Sequence, residues 1–322
     1  MLTLPDLKSK QVLFIQMERG AKNRLFFRNE NVVFEKNREI IDQASCHRLL
    51  TVFVIGDFSF TSGLIREAKK RGVSLFFLNH NFGCYAAFSA RADGNYLLRL
   101  AQYALTPEQE LHIAKNLVEN KIKNQISLLK ALKKSVDTTF MNDVLGGVHG
   151  AEEVKGLLGF EGTASKKFFK HYFGELNWVR RTPRVKPDIP NFLLDMGYTI
   201  LFNFVDSLLQ LFGFDTYKGC YHKLFFQRKS LTCDIVEPFR SIIDKQILKS
   251  YRLKQIDDKD FFVDKNGKVS LSYDKSQKYA KIFMEAIMDN KENIYLYVQK
   301  YYRFIMKGGA MPQFSVLRKG KK

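Results

Sequence analysis

The sequence predicts an α+β fold, in which a small β-rich amino-terminal domain precedes a larger all-α domain. Before residue 88, short runs of β-branched and aromatic residues recur, as is typical of strands. After residue 95, apolar residues lie three and four positions apart, as on one face of a helix. The 322 residues are enough for two domains of ~100–200 residues each. We therefore expect domains at residues 1–88 and 107–322, joined by a linker at residues 89–106.

The amino-terminal domain contains six predicted strands and one predicted helix. The strands are Gln11–Gln16, Arg24–Arg28, Asn31–Glu35, Leu49–Ile55, Val73–Leu78 and Cys84–Phe88. Between the fourth and fifth strands, Ser62–Arg71 has a helical pattern, and Gly72 is a residue type that commonly ends a helix. These elements predict a small sheet domain that carries a single helix.

Helical periodicity dominates the chain from residue 95 onwards. The clearest predicted helices are Asn95–Leu105, Pro107–Val136 and Asn191–Leu211. Thr106 is a suitable cap for the second of them, because Pro107 then takes the first helical position. One exception is predicted late in the chain, where Asn266-Gly267 separates the apolar runs Phe261–Lys265 and Lys268–Ser272 and indicates a β-hairpin.

Basic residues outnumber acidic residues by 52 to 33, and the resulting net charge of +19 favours a polyanionic partner such as nucleic acid. One basic cluster contains Lys166, Lys167, Lys170, Arg180, Arg181, Arg184 and Lys186. Pro183 and Pro187 keep its second half open as a loop, so we expect phosphate binding there. The interleaved aromatic residues are instead predicted to be core: Phe168, Phe169, Tyr172, Phe173 and Trp178. The basic tail after residue 302 is predicted to be an exposed segment.

The most apolar stretch, Asn191–Phe214, predicts a buried helix and not a membrane span. Four polar residues interrupt it, whereas a span needs about 20 consecutive apolar residues. The apolar run near the amino terminus, Val12–Ile15, is too short for a signal peptide. Four scattered cysteines without a Cys-x-x-Cys pair favour reduced thiols. We therefore expect a cytoplasmic protein with no membrane partner.

Acidic residues in apolar surroundings are the best candidates for a functional site. Asp234 and Glu237 interrupt an apolar run, and their spacing of three places both on one face of a helix. Buried acids need a partner or a metal ion. Glu161 and His222 add a further carboxylate and an imidazole, and such a donor set suits Mg²⁺ or Mn²⁺. A metal ion of this kind would polarise a phosphodiester.

Two other interpretations of these residues stay open. In the first, which the spacing supports as well as it supports a metal site, Asp234 and Glu237 form a structural ion network with Arg240 or Lys223. The second is a zinc site at Cys220, His222 and Cys233, which is less favoured because their spacing matches no standard zinc pattern.

Eight blocks of the chain together resemble one known protein family. The first four blocks are Val54–Ser62, Arg71–Phe77, Asn95–Tyr103 and Lys121–Gln125. The more specific blocks are Leu157–Ala164, Asn191–Tyr198, Gly213–His222 and Ser230–Arg240. Because four ordered blocks are far more specific than any one of them, the chain is identified as a member of the CRISPR-associated spacer-acquisition integrase family, CRISPR-associated protein one.

The resemblance implies that Glu161, His222 and Glu237 are catalytic residues and hold the metal ion, Mg²⁺ or Mn²⁺, with Asp234 as a close second to Glu237. Pro238 biases Glu237 away from helical geometry, which leaves open whether Asp234 or Glu237 is the closer ligand. The candidate DNA contacts are Lys166, Lys170, Arg180, Arg181, Arg184 and Arg240.

The resemblance also implies an assembly and a reaction. The β-rich domain would form a homodimer, and two such dimers would flank a dimer of a small ferredoxin-like acquisition subunit. The helical catalytic domain would join the 3′-OH of a double-stranded prespacer DNA to a phosphodiester at the edge of a CRISPR repeat, and would also act as a metal-dependent DNA endonuclease. Two alternatives stay open: a stand-alone metal-dependent nuclease in repair or recombination, and an architectural nucleic-acid binder.

Overall fold

The computed structural model describes residues 4–79, 83–88, 94–132, 138–176, 178–183 and 185–317. The chain divides into two compact units, of which one contains Met1–Tyr96 and Asp206–Phe214 and the other contains Leu97–Val205 and Asp215–Lys322. The first unit is β-rich and the second is mostly helical, so the predicted α+β class is confirmed. The linker predicted at residues 89–106 stays a prediction, since residues 89–93 lie outside the described residues.

The strands and short helices of the first unit follow each other closely along the chain. They are α1 Leu4–Ser9, β1 Gln11–Gln16, β2 Asn23–Arg28, β3 Asn31–Lys36, β4 Glu39–Ser45, β5 Leu49–Ile55, β6 Ser59–Phe60, α2 Ser62–Lys70, β7 Ser74–Leu78 and β8 Cys84–Phe88. In the described residues they build two four-stranded sheets, with the orders β1-β5-β7-β8 and β4-β3-β2-β6.

The centre of the first sheet is entirely buried. β5 pairs in parallel with β1 and with β7, and every residue of β5 and β7 is buried. Strands covered on both faces have continuous apolar sequences. This is why the sequence pattern of Leu49–Ile55 predicts β5 to the residue.

Two strands of the second sheet were not predicted. β4 lies at the edge of its sheet, and its first five residues are exposed. An edge strand that faces solvent needs no regular apolar pattern, so Glu39–Ser45 carries little strand signal. β6 has only two residues, too few for any periodicity to be visible.

The second unit consists largely of helices. Together with the helix that spans both units, its elements are α3 Tyr96–Tyr103, α4 Pro107–Lys130, α5 Thr139–Gly150, α6 Val154–Tyr172, α7 Ile189–Phe212, α8 Ser230–Val236, α9 Arg240–Arg252, β9 Phe261–Val263, β10 Val269–Leu271, α10 Tyr273–Met288 and α11 Lys291–Lys307. The predicted hairpin is confirmed, because β9 and β10 pair antiparallel around Asn266-Gly267.

The predicted start of α4 is also confirmed. Thr106 Oγ1 accepts a hydrogen bond from the Gln109 N–H, and Gln109 Oε1 accepts one from the Thr106 N–H at 2.9 Å. This reciprocal capping box satisfies donors that a helix start otherwise leaves unpaired. The helix ends at Lys130, earlier than the predicted Val136, which lies outside the described residues.

The long apolar helix α7 is a core helix, as predicted. Among the described residues it is the one helix long and apolar enough to cross a membrane, with a mean hydropathy of 1.3 over its most apolar window. Yet 78% of that window is buried inside the protein. Helices that are apolar all round are buried in the core of large proteins as well as in membranes.

The prediction of an exposed carboxyl-terminal tail is wrong for most of residues 311–316, whereas residues 308–310 are exposed as predicted. After α11, Met311, Phe314 and Val316 are buried. Two asparagines of α4 hold this segment, because Asn120 and Asn124 donate to the Phe314 carbonyl at 2.7 and 3.0 Å and accept from backbone N–H groups of the segment. Residues 308–317 contain no charged side chain, so no charge within the segment opposes this burial.

Candidate active site

Lys121 on α4 is the centre of an ion-pair cluster in the helical unit. Its ammonium group binds Oε1 of Glu161, which lies on α6. It also binds Oε2 of Glu237, which lies directly after α8, at 2.7 Å. These three side chains are 11%, 21% and 5% exposed, respectively. Arg240 completes the cluster, because its Nε donates to Glu237 Oε1 at 3.0 Å. Two cations therefore balance the charge of two carboxylates.

Two polar side chains orient the carboxylate of Glu161. Ser165 lies one turn later on α6 and donates to Glu161 Oε1 at 2.9 Å. Gln125 lies one turn after Lys121 on α4 and donates from Nε2 to Ser165 Oγ at 3.3 Å. Residues four apart on a helix lie on one face. Each of these two helices therefore contributes two residues to one hydrogen-bonded network.

The prediction that Pro238 moves Glu237 out of helical geometry is wrong. Glu237 has φ −53° and ψ −48° and begins a single 3₁₀ turn, Glu237–Phe239, that connects α8 to α9. The preference of a residue before proline is weak, and tertiary contacts override it here. The Pro238 carbonyl accepts hydrogen bonds from Asn124, at 3.1 Å, and from Ser241, at 3.3 Å, which hold the turn in place.

The cations of the cluster keep Glu237 ionised. Burial opposes ionisation, but the charges of Arg240 and Lys121 outweigh burial and lower the pKa of Glu237 to about 2. Burial likewise opposes the charge on Lys121, and the two carboxylates outweigh it and raise the pKa of the ammonium group. Glu237 and Lys121 therefore both stay charged at neutral pH.

Asp234 holds the loop that carries His222. Its carboxylate is 1% exposed and accepts hydrogen bonds from the backbone N–H groups of Cys220, Tyr221 and His222, at 2.6, 2.9 and 2.8 Å. Asp234 Oδ1 also lies 2.8 Å from His222 Nδ1. Because this oxygen already accepts an N–H bond, we assign the ring proton to Nδ1, which leaves Nε2 as the acceptor nitrogen of the ring. A carboxylate that fixes a histidine in this way is typical of metal sites.

Gly219 allows this loop to approach Asp234. A Cβ at position 219 would lie 2.8 Å from Asp234 Oδ2 and 2.7 Å from the backbone carbonyl carbon of Ser230. Real Cβ atoms do not come so close to a backbone atom. Any side chain there would push the loop away from the carboxylate, so the position of His222 depends on this glycine.

The predicted metal ligands are brought together only in part. Glu161 and Glu237 share one cation, and His222 is bound to Asp234. As they stand, no three His, Cys, Asp or Glu side chains in the described ranges are close enough to hold a metal ion. The Lys121 ammonium is the cation that the two carboxylates share in this structure. The assignment of Glu161, His222 and Glu237 as ligands therefore stays a prediction.

The chemistry of these side chains nevertheless fits a divalent cation. Two carboxylates already converge on a positive charge, and oxygen donors with one imidazole suit Mg²⁺ or Mn²⁺. The Tyr221 hydroxyl supplies a second indication, since it is buried and has no hydrogen-bond partner within the described chain. Its pKa is raised, by burial and then by the charges of Glu161 and Glu237. A buried hydroxyl without a partner is the kind of group that a bound ligand or water satisfies.

The alternative interpretation, a structural ion network, is confirmed for Glu237 but not for Asp234. Glu237 pairs with Arg240, as that alternative expects, and also with Lys121. Asp234 instead binds His222 and the backbone of its loop. Although Asp234 and Glu237 are only three positions apart, their carboxylates bind different partners.

The candidate DNA-binding residues fall into two groups. Lys166 and Lys170 on α6 and Arg180 after it are exposed, as phosphate-binding side chains must be. Arg181 is committed to the protein, because its guanidinium binds the Asp195 carboxylate and Asn191 Oδ1.

The remaining two candidates are Arg240, which is ion-paired within the protein as Arg181 is, and Arg184. Arg240 is half-buried, with its guanidinium 4.5 Å from the ring centre of Tyr198. Arg184 lies outside the described residues. The DNA-binding role of all six residues stays a prediction.

Four of the five aromatic residues among the basic cluster are core residues, as predicted. Phe168, Phe169, Tyr172 and Phe173 are buried, whereas Trp178 is half-buried and packs 5.4 Å from Phe173, ring centre to ring centre. The four buried rings are therefore not available to stack on nucleic acid.

Sequence analysis missed the roles of Lys121 and of Asp244. In the sequence, Lys121 belongs to the block Lys121–Gln125 that resembles the family, but its role is not apparent there because its partners lie 40 and 116 residues away. Asp244 lies on α9 and accepts a hydrogen bond from the Tyr198 hydroxyl. Burial raises the pKa of Asp244 to about 7, although Tyr198 and nearby cations act in the opposite direction. The signal that was available is an acid within the apolar run of α9.

Comparisons with known proteins define this chain as a CRISPR-associated protein. Residues 19–285 match the family described as CRISPR associated protein Cas1. A relative, CRISPR-associated endonuclease Cas1 1 of Thermodesulfovibrio yellowstonii, is 27% identical over 259 residues, which cover 76% of this chain and 81% of that protein. Because the family match spans most of the sequence, the chain belongs to the Cas1 family.

Solved structures share the fold. A casposase bound to integration product superposes with a TM-score of 0.82 at 20% identity, covering 97% of this chain and 96% of that one. A chain of a Cas6-RT-Cas1–Cas2 complex gives a TM-score of 0.78 at 23% identity, covering 97% of this chain and 36% of that longer chain. The two-unit architecture is thus that of known proteins.

Proposed function

We propose that this chain is a metal-dependent DNA endonuclease and integrase that inserts prespacer DNA into a CRISPR array. The reaction joins a prespacer 3′-OH to a phosphodiester at a repeat edge by transesterification. One observation carries the proposal: in a chain of net charge +19, two carboxylates converge on one cation, and the same unit holds a histidine ring 2.8 Å from a buried carboxylate. Membership of the Cas1 family supports the same reaction, since relatives carry the name endonuclease.

Glu161, His222 and Glu237 are the proposed ligands of one Mg²⁺ or Mn²⁺ ion. When bound, such an ion offsets charge on phosphate oxygens and lowers the pKa of an attacking hydroxyl. Glu237 is suited to this role because its pKa of about 2 keeps it ionised at neutral pH. Asp234 keeps the Nδ1 proton of His222 in place, so that Nε2 can act as a donor atom. We therefore assign Asp234 as a positioning residue and not as the third ligand.

Lys121 and the divalent ion compete for the same two carboxylates. A lysine ammonium carries one charge and a divalent ion two, so the exchange strengthens attraction at the site. The proposal therefore includes movement of the Lys121 side chain away from Glu161 and Glu237 when the ion binds.

The proposed partners are double-stranded DNA, a second copy of the chain and a small ferredoxin-like acquisition subunit. The net charge and the exposed Lys166, Lys170 and Arg180 support DNA binding, and one related fold was solved bound to an integration product and another with Cas2. For the homodimer, β4 offers an edge strand on which Ile40 and Ile41 are 47% and 52% exposed. The reaction takes place on cellular DNA, so we propose a cytoplasmic protein.

A strand-transfer assay tests this function. Labelled prespacer duplex is mixed with a supercoiled plasmid carrying a CRISPR repeat, with Mg²⁺, Mn²⁺ or chelator, and with or without the small subunit. We expect label to join the plasmid only with metal, and not with Glu161→Ala. Metal-dependent cutting without joining, even with the small subunit, would instead establish a stand-alone nuclease. Binding with neither reaction would establish an architectural binder.

A further inference from the structure

The two oxygens of the Glu237 carboxylate bind different cations. Oε1 accepts a hydrogen bond from Arg240 Nε at 3.0 Å, and Oε2 lies 2.7 Å from the Lys121 ammonium nitrogen. In the proposed exchange a divalent ion takes the place of the ammonium, so the oxygen that it meets is Oε2. Oε1 stays bound to Arg240 as long as the guanidinium keeps its position. Glu237 therefore offers the ion one oxygen and not two.

Tyr198 holds Arg240 in this position. The guanidinium carbon of Arg240 lies 4.5 Å from the ring centre of Tyr198, a distance typical of a cation–π contact. The Tyr198 hydroxyl donates a hydrogen bond to Asp244, which lies one turn after Arg240 on α9. Tyr198 and Asp244 are both buried. The ring is thus fixed at its hydroxyl end, and its face supports the guanidinium.

The charge of Arg240 is secure in this setting. Burial opposes ionisation, but the Glu237 carboxylate outweighs burial and raises the pKa of the guanidinium. Arginine often binds both oxygens of a carboxylate through two parallel N–H groups. Here Lys121 already binds the second oxygen, and the guanidinium donates to the first. A positive charge beside Oε1 repels any further cation from that oxygen.

The number of oxygens that a carboxylate can offer distinguishes large divalent ions from small ones. Ca²⁺ takes about six to eight oxygen ligands, and carboxylates bind it through one oxygen or through both. Mg²⁺ is smaller and demands a near-ideal octahedron, and Mn²⁺ also occupies octahedral oxygen sites. To use both oxygens of Glu237, Ca²⁺ would first have to break the hydrogen bond from Arg240. A site built in this way disfavours Ca²⁺.

We propose that Arg240, held by Tyr198, makes the metal site select Mg²⁺ or Mn²⁺ against Ca²⁺. The inference rests on the proposed function and adds to it a choice of ion. Arg240 is a positioning residue and not a ligand, because it acts by occupying one oxygen of Glu237. Tyr198 acts in turn through Arg240.

Electron paramagnetic resonance tests this choice, with Mn²⁺ as the probe and Ca²⁺, which gives no signal, as its competitor. The readout is the ratio of the Kd for Ca²⁺ to the Kd for Mn²⁺. Both ions carry two charges, so the loss of a nearby cation affects their affinities alike and cancels in the ratio. Because Ca²⁺ must break a charge-assisted hydrogen bond in the wild type, we expect Arg240→Met to lower the ratio about tenfold.

Tyr198→Leu and Tyr198→Phe form a matched pair of variants. Both lack the hydroxyl, and only Tyr198→Phe keeps an aromatic ring beside Arg240. The ratio should therefore be at least about threefold lower in Tyr198→Leu than in Tyr198→Phe. Arg252→Met is the control, because Arg252 lies at the other end of α9 and pairs with Glu175. It should keep the ratio of the wild type, and thermal melting should show which variants fold.

The possible outcomes separate this inference from the proposed function. An unchanged ratio in Arg240→Met overturns the inference, as does a wild type that binds Ca²⁺ as tightly as Mn²⁺. If Arg240→Met does not fold, equal ratios in the two Tyr198 variants overturn it instead. An equal fall of the ratio in Arg252→Met would reveal a general effect of charge and also contradicts the inference. A wild type that binds no Mn²⁺ overturns the proposed function itself.

Discussion

The interiors of the two units differ in chemistry. In the described strands of the sheet unit, the buried polar residues are Asn23, Thr51 and Ser74, and the one buried acid among the described residues of this unit is Asp206 on α7. The surrounding cluster is apolar and includes Leu25, Val52 and Leu75 from both sheets. The helical unit instead contains a cluster of buried or half-buried charged residues: Lys121, Glu161, Asp234, Glu237, Arg240 and Asp244.

This difference indicates where selection for function acts. Apolar burial stabilises a fold at roughly 25 cal/mol per Å², so the sheet unit needs no further explanation. Buried ion pairs are often no more stabilising than apolar residues of the same volume. A cluster of charges in the interior of the helical unit is therefore best explained by a chemical role, and substitutions in the two interiors should have different consequences.

The largest expected effect is that of Lys121→Met. Without the ammonium, Glu161 and Glu237 are left with Arg240 as the cation of their cluster, and removing one partner of a buried pair costs about 3–5 kcal/mol. Mn²⁺ should then raise the melting temperature of this variant more than that of the wild type, because the ion replaces the missing charge. Differential scanning fluorimetry in chelator and in Mn²⁺ measures both effects.

Lys123→Met is the control for this experiment, since Lys123 lies on the same helix but is 54% exposed. It should melt within a few degrees of the wild type and respond to Mn²⁺ as the wild type does. A Lys121→Met variant that melts normally in chelator would contradict the view that the ammonium balances two buried carboxylates.

The second-largest expected effect distinguishes a residue that positions His222, Asp234, from a residue that only packs in the core, Leu75. In Asp234→Asn the amide cannot accept all the N–H bonds that the carboxylate accepts, so His222 loses its fixed orientation. Strand transfer should fall about 10- to 100-fold, as is usual for groups that orient metal ligands. Leu75→Ala in the sheet unit should cost about 2–5 kcal/mol of stability but leave activity per folded molecule unchanged. Comparable losses of activity in both variants would erase the distinction between the two interiors.

A smaller effect concerns pH. Because Asp244 has a pKa of about 7 in the folded chain and 3.8 as its ordinary value, the folded state holds a proton that the unfolded state releases. Its contribution to stability therefore declines as pH rises from about 4 to about 7, by at most ~1.4 kcal/mol per pH unit. Asp244→Asn should flatten this part of the profile, relative to the wild type, in urea unfolding at pH 5 and pH 8.

Asp289→Asn serves as the control, because Asp289 is exposed. Its unfolding free energy should follow that of the wild type at both pH values. Parallel profiles for Asp244→Asn and the wild type would show that Asp244 is already ionised in the folded chain.

The smallest effect is expected at the exposed basic residues of α6. Lys166→Ala and Lys170→Ala should each weaken duplex binding a few-fold at low salt, without altering stability. Each lost phosphate contact should reduce the slope of log K against log salt by about 0.9. Anisotropy titrations at several salt concentrations measure this slope, and an unchanged slope in the double variant would exclude both lysines from the DNA contact.

The sequence predicts strands of the sheet unit well where they form short runs that are mostly apolar. β1, β5 and β8 have the predicted bounds, although only β5 is buried along its whole length. β4 was missed because an exposed edge strand needs no apolar pattern. The prediction that the carboxyl-terminal tail is exposed was wrong because the burial of this segment depends on Asn120 and Asn124, which lie almost 200 residues earlier in the chain.

In the site, residue types were easier to predict than contacts. Asp234 and Glu237 stood out as acids in an apolar run, but their spacing of three suggested a shared target, which they do not have. Lys121 was not predicted, because nothing local in its helix shows that two distant carboxylates converge on it.

The central claim is that Glu161 and Glu237 exchange the Lys121 ammonium for a divalent ion. Electron paramagnetic resonance measures it directly, because bound Mn²⁺ loses the six-line signal of free Mn²⁺. Titration of the wild type should reveal one bound ion per chain, and Glu161→Gln and Glu237→Gln should each abolish that binding, whereas Lys121→Met should bind the ion more tightly. An unchanged bound ion in both glutamine variants would contradict the account.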